Sequence, residues 1–207
     1  MNLPQIEPMK LSRIAVPFDH IDFLFELKHG GFRCFAYIAA GRCDLVSPHT
    51  NYYQRFDSLR AALANLEVTD AILDGELVCL DDEGRDRWNL LLRRRAEPAF
   101  YAFDLLWLNG KDLRQLPLIE RKKRLRQLIG ESDCERIIYV QHIEMHGCVL
   151  FSAICKKDLE GIICKKKSGM YSVFGQWLKV LNPNYTQHED RHRMFTALQS
   201  RAGRVSR

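Results

Sequence analysis

Three observations predict an α+β fold of mixed sheets and helices. Apolar runs of strand length and period-2 patterning recur at 23–27, 32–40, 43–47, 71–80 and 99–107. Helical spacing is confined to 57–66, 118–129 and 147–157, so strands and helices do not alternate in the regular way of a doubly wound sheet. The 207 residues, 46% of them hydrophobic, are enough for one domain with a core of its own.

In chain order, residues 1–20 read as an irregular lead-in. The strand at 23–27 ends in the Lys28-His29-Gly30-Gly31 turn, where paired glycines permit close backbone approach. Strands at 32–40 and 43–47 follow around Gly41-Arg42. The helix at 57–66 has Asp57 or Ser58 as its cap. The strand at 71–80 closes at Asp81-Asp82-Glu83-Gly84, and that at 99–107 turns at Asn109-Gly110. A charged amphipathic helix at 118–129, a short strand at 136–141 and a helix at 147–157 lead to strands at 160–166 and 176–181. A helix is expected in the tail from 188.

The net charge of +5 permits a polyanionic partner without demonstrating one. Its cations collect in Arg93-Arg94-Arg95, in 121–126, in Lys165-Lys166-Lys167 and at Arg201, Arg204 and Arg207, each run reading most simply as a solvated face. Seven cysteines, an odd number with no C-x-x-C pair, read as reduced and mostly buried thiols rather than a zinc site. With no signal-like apolar segment and no membrane-length run, a cytoplasmic protein without a membrane partner is expected.

Several short motifs carry chemistry. Lys28 ends an apolar strand before a Gly-Gly turn and Arg33, where desolvation or a nearby cation can free its amine as a nucleophile. Asp74 and Glu76 share one strand face, and burying both requires a cation, a metal or a ligand hydroxyl. Glu160 begins an apolar strand that ends in lysines. Phe103 by itself reads as a core aromatic, and Trp177-Leu178-Lys179 is weak alone.

Taken in order, K-x-G-G-x-R, D-G-E, F-D-L-L-W-L, E-G-I-I-x-K and W-x-K resemble the ATP-dependent DNA ligases. More broadly they resemble the lysine nucleotidyltransferases, which include RNA ligases and mRNA capping enzymes. The D-G-E and F-D-L-L-W segments look more like the DNA ligases. The resemblance implies an ATP-grasp-like adenylation domain over 21–186, preceded by the lead-in and followed by a basic tail at 187–207 with no OB-fold. It implies that Lys28 attacks the α-phosphate of ATP to form a lysyl-AMP intermediate. It further implies that Glu26 and Phe103 meet adenine, Arg33 the sugar or phosphate region, Glu76 the ribose and Lys179 the α-phosphate. Glu160, with Glu76, would hold Mg2+ or Mn2+. The implied partner is nicked double-stranded DNA in repair or recombination, together with a DNA-end or repair protein that supplies a clamp. DNA affinity would come from the basic surface, including 165–167 and the tail.

Three positions depart from the family pattern. Gly30 stands where K-x-D-G has Asp, Pro48 where an S-R-N-G-like segment has Arg, and Leu181 where K-x-K has its second Lys. Two readings stay open on these residues: an adenylating ligase, and a weakened paralogue that binds ATP or DNA.

Overall fold

The computed structural model describes residues 3–92, 96–132 and 134–187. Two sheets face one another. The first contains β1 (Lys10–Arg13), β2 (His20–Leu27), β9 (His142–Met145), β10 (Gly161–Lys166) and β11 (Gln176–Leu181), in the order β1-β11-β10-β2-β9. The second contains β3 (Phe32–Ala39), β4 (Arg42–Val46), β5 (Asp70–Val78), β6 (Ala99–Leu108) and β7 (Lys111–Asp112), in the order β4-β3-β5-β6-β7, with β8 (Ile137–Tyr139) added beside β6. The helices are α1 (Asp57–Ala64), α2 (Trp88–Leu92), α3 (Leu118–Gly130) and α4 (Gly147–Lys156). Pairing is antiparallel except for β1 with β11 and β6 with β8, in keeping with an α+β fold.

Strand alternation sorts the core. In the second sheet, Cys34, Ala36, Ile38, Leu73, Leu77, Phe100 and Ala102 pack outward beneath Leu59 and Leu63 of α1 and Leu125 and Leu128 of α3. The residues between them, among them Phe35, Ile72 and Phe103, face the first sheet with Ile163 and Trp177. In the first sheet Phe25, Ile162, Cys164 and Val180 bury the opposite face against Ile154 of α4. A cleft therefore forms where the two inner faces meet.

The expected helical and strand spans are found close to their predicted places, while α2, β7 and β9 had no predicted counterpart, and three readings are corrected. The 1–20 segment is not irregular throughout: β1 pairs in parallel with β11, Lys10 opposite Gln176, and Ile6 and Met9 are buried. Helix α1 starts after Phe56, which makes no side-chain cap; Phe56 is buried, so packing sets the entry point, and Asp57 instead pairs with Arg60 at 3.1 Å. The cationic run at 121–126 is not one solvated face. Lys123, Arg124 and Arg126 are exposed, while Arg121 and Lys122 are fully buried. The expected tail helix from 188, the run 93–95 and the tail arginines lie outside the described residues. No described helix is long and apolar enough to cross a membrane. The seven cysteines are free thiols, four of them buried.

Arg121 makes a two-pronged pair with Asp104 of β6, at 2.8 Å in each prong, and neither side chain touches solvent. The same guanidinium donates to the Gly169 carbonyl at 3.1 Å, and Leu118 and Ile119 donate their amides to the carbonyls of Gly169 and Lys167. The loop after β10 thus caps α3 with backbone oxygens and ties the two halves together. Asp104→Ala would strand a buried guanidinium and is expected to cost about 3–5 kcal/mol in urea unfolding. Asp104→Leu with Arg121→Met should recover most of that loss.

Candidate active site

Strand β2 delivers Glu26 and Lys28 to the cleft, because the even positions 24, 26 and 28 share its inner face. Strand β3 supplies Arg33, β5 supplies Glu76, β6 supplies Phe103, β10 supplies Ile163 and Lys165, and β11 supplies Trp177. The cleft is lined by these residues together with Leu11, Leu27, His29 and Val140.

The turn after Lys28 is fixed by backbone proximity. A Cβ on Gly31 would lie 2.2 Å from the Leu77 carbonyl oxygen, so only glycine lets β3 enter beside β5 here. The Gly31 amide donates to Glu76 Oε1 at 3.0 Å. Lys28 Nζ lies 2.7 Å from Glu160 Oε1. Burial pushes the Glu76 carboxyl above its ordinary value; Lys28 and His29 oppose that shift, and the Glu160 charge adds to it. Two carboxylates that feel each other, beside a lysine, suit a hard divalent cation. Among the described residues no cluster of three or more potential ligands exists, so such an ion would complete its shell with phosphate oxygens and water.

Glu26 is buried with its oxygens divided between two lysines. Oε1 accepts from Lys122 Nζ, and Oε2 lies 2.6 Å from Lys165 Nζ. Burial raises the Glu26 carboxyl, but the two ammonium groups outweigh it and hold the group below its ordinary value. Burial depresses Lys165, with Glu26 only partly opposing. The Lys165 ammonium also lies 4.4 Å from the Phe103 ring centre and 3.9 Å from that of Trp177. Reading 165–167 as a DNA-facing surface is therefore corrected at Lys165, which is 1% exposed and points into the cleft. Lys166 is exposed, and Lys167 pairs with Glu144.

Arg33 reaches the cleft, but its donors are held by the protein. Two go to Asp74 at 3.1 and 2.7 Å, one to the Met9 carbonyl at 2.8 Å and one to Tyr171 Oη at 3.3 Å. What it presents inward is its flat cation, stacked 5.2 Å from Trp177 and 5.8 Å from Phe103. Phe103 and Trp177 meet edge to face at 5.6 Å. Lys179 sits on the Trp177 side of β11, opposite Ile163, but does not line the cleft.

Six of the expected site residues thus converge: Glu26, Lys28, Arg33, Glu76 and Phe103 line one cleft, and Glu160 pairs with Lys28 at its edge. Residues 7–180 match the family profile described as ATP dependent DNA ligase domain. The chain belongs to that family. The SPbeta prophage-derived DNA ligase-like protein LigB of Bacillus subtilis is 28% identical over 192 residues, covering 88% of this chain and 69% of that protein. The multifunctional non-homologous end joining protein LigD of Pseudomonas aeruginosa is 32% identical over 167 residues, covering 77% of this chain and 20% of that protein. The ligase domain of LigD from M. tuberculosis superposes with a TM-score of 0.74 at 26% identity, covering 83% of this chain and 58% of that structure. A mycobacterial DNA ligase D complexed with ATP and MES gives 0.73 over 84% of this chain and 59% of that one. The chain thus spans under two thirds of these two ligase structures and a fifth of the Pseudomonas protein.

Within this ligase domain the departures occupy definite places. Pro48 lies in a tight turn closed by Ser47 and Asn51 and borders a separate open hollow with Tyr37 and Tyr52. Leu181 pairs with Gly161, next to Glu160. Gly30 is backed by Asp86, whose Oδ2 accepts from the Gly30 amide at 2.7 Å. Sequence reading missed Lys165 and Trp177 as cleft groups, Lys122 as the buried partner of Glu26, and Asp86 as a support. Alternation within β10 was the available signal for Lys165, two residues after Ile163 on the same face; nothing local marks Asp86.

The two cleft carboxylates predict opposite pH behaviour. Glu26 is held below the ordinary 4.5, so its contribution is present above that pH and is lost as pH falls through its folded value. Glu26→Gln should therefore cost about 3 kcal/mol at neutral pH, shrinking in acid. Glu76 is raised, so its stabilising contribution exists below 4.5 and disappears as pH rises through the folded value. Glu76→Gln should stabilise at neutral pH and be neutral in acid, as read by urea unfolding across that range.

Proposed function

We propose that this chain transfers AMP from ATP to Lys28, as the first step of sealing nicks in double-stranded DNA. The observation that carries the reading is a lysine amine, beside a carboxylate, at the edge of a cleft floored by two aromatic rings. The similar mycobacterial ligase D, complexed with ATP, supports the choice of nucleotide.

Adenine stacks on Phe103, with Glu26 and Lys165 as the polar pair beside it. Glu76 accepts from a ribose hydroxyl. Nζ of Lys28 attacks the α-phosphorus, a nitrogen–phosphorus bond forms, the bond to the bridging oxygen breaks and pyrophosphate leaves. Glu160, 2.7 Å away, orients the amine, and the two protons that Nζ gives up, one to free its lone pair and one as the nitrogen–phosphorus bond forms, pass to solvent. Glu160 and Glu76 would hold Mg2+ or Mn2+, which when bound offsets charge on the triphosphate. Lys179, on the Trp177 side of β11, supplies positive charge toward the α-phosphate. Leu181 adds none, so transfer is slower than with a second lysine by roughly 10²-fold. The relatives named for non-homologous end joining support a DNA-repair setting.

Incubation with α-labelled ATP and Mg2+ should give label that survives denaturation and is absent from Lys28→Ala. Phe103→Ala should label at saturating ATP but need roughly 10-fold or more nucleotide. Label on another residue, or a labelled Lys28→Ala, overturns the assignment.

A further inference from the structure

Asp86 occupies a place that its sequence position does not announce. The segment after β5 folds back on itself, with the Asp81 amide donating to Arg85, the Arg87 amide donating to Cys79, and Leu80 bridged to Asp86. This hairpin sets Asp86, 3% exposed, against the turn that follows Lys28. Its two oxygens are divided between neighbours in that turn. Oδ2 accepts from the Gly30 amide at 2.7 Å, and Oδ1 lies 3.1 Å from Nδ1 of His29. The His29 ring is held on its other side by Tyr101, 4.4 Å between centres.

The space around Gly30 explains why the carboxylate comes from outside. A Cβ at Gly30 would lie 3.2 Å from Glu160 Oε2 and 3.4 Å from the Asp86 Cβ. An acidic side chain grown from position 30 would put a third carboxylate beside Glu160 and Asp86. The family pattern K-x-D-G has its acid at that position; here the acid reaches the turn from 86 instead. The consequence for Lys28 is mechanical. Its Nζ sits 2.7 Å from Glu160 and 3.4 Å from the His29 carbonyl oxygen, so the turn that Asp86 anchors also sets where the amine points.

We propose that Asp86 is a positioning residue for the Lys28 nucleophile, supplying from the β5–α2 hairpin the carboxylate that the motif lacks at Gly30. This rests on the adenylation reading for its catalytic consequence but not for its structural one. Gly30 is therefore a matched partner of Asp86 rather than a lesion, and replacing it alone is harmful.

The test is a cycle of Asp86→Ala, Gly30→Asp and the double variant in the full chain. It is read by single-turnover labelling at saturating ATP, by the ATP concentration for half-maximal rate, and by amide hydrogen exchange at Gly30. Asp86→Ala should slow labelling by about 10-fold or more with the half-maximal ATP unchanged, because misaiming a nucleophile acts on the rate. Its Gly30 amide should exchange at least about 10-fold faster while amides in β5 and β6 keep their protection. Asp86→Asn, which keeps one accepting oxygen, should lie between. Gly30→Asp alone should label more slowly than the parent, and the double variant should label faster than either single one. Unchanged Gly30 exchange in Asp86→Ala, or a double variant no better than Asp86→Ala, overturns the proposal. Absence of label in the parent with the exchange result intact would instead overturn the adenylation reading and leave the anchor standing.

Discussion

The cleft depends on the buried pair of Arg33 and Asp74. Asp74 is fully enclosed on β5, and its two oxygens accept from the Arg33 guanidinium and from Tyr171 Oη at 2.7 Å. Arg33 in turn holds the Met9 carbonyl. One ion pair therefore joins β3, β5, the segment before β1 and the loop between β10 and β11. That loop belongs to the opposite sheet, so the pair fixes the separation across which Phe103 and Trp177 meet. Burying such charges is worthwhile only when their donors are answered, and here the protein itself supplies four acceptors to the Arg33 guanidinium. Arg33, expected at the sugar or phosphate region of a ligand, is also a girder here, and it keeps one aromatic-facing surface on the cleft.

Much of the fold was legible because strand and helix periods are local properties. The spans of β5, β6, β11, α3 and α4 follow from apolar spacing and from the turns at Gly84 and Asn109-Gly110, whose positive φ angles are found where the sequence placed them. The lead-in was not legible. A four-residue strand such as Lys10–Arg13 carries no pattern of its own, and its partner lies at the far end of the chain. The site was legible through its motifs: Lys28, Glu76, Phe103 and Glu160 stand together as the order of the motifs implied. The missing part was charge placed inside. Lys122, Lys165 and Arg121 belong to runs that read as solvated faces, and only tertiary pairing with Glu26 and Asp104 distinguishes them from Lys123 or Lys166.

These inward cations change what a positive net charge means. Arg121, Lys122, Lys165 and Arg33 are turned inward and paired with three carboxylates, Asp104, Glu26 and Asp74, with Glu26 shared by the two lysines. The charge left for an outside polyanion is carried by other residues, such as Lys123, Arg124 and Arg126 on the exposed side of α3. Of the inward groups, Arg33 and Lys165 reach the cleft, each held against the rings of Phe103 and Trp177.

The parallel pairing of β1 with β11 has a consequence during synthesis. Lys10 leaves the ribosome well before its partner Gln176, with most of the described domain between them. Until then β1 has no edge to join, and β10 lacks the neighbour that separates it from β1. The second sheet, built from residues 32–112 with near-neighbour pairings plus the short β8, can close far earlier. Translation therefore separates the two halves in time: one sheet waits, with its strands exposed, for the last one to arrive.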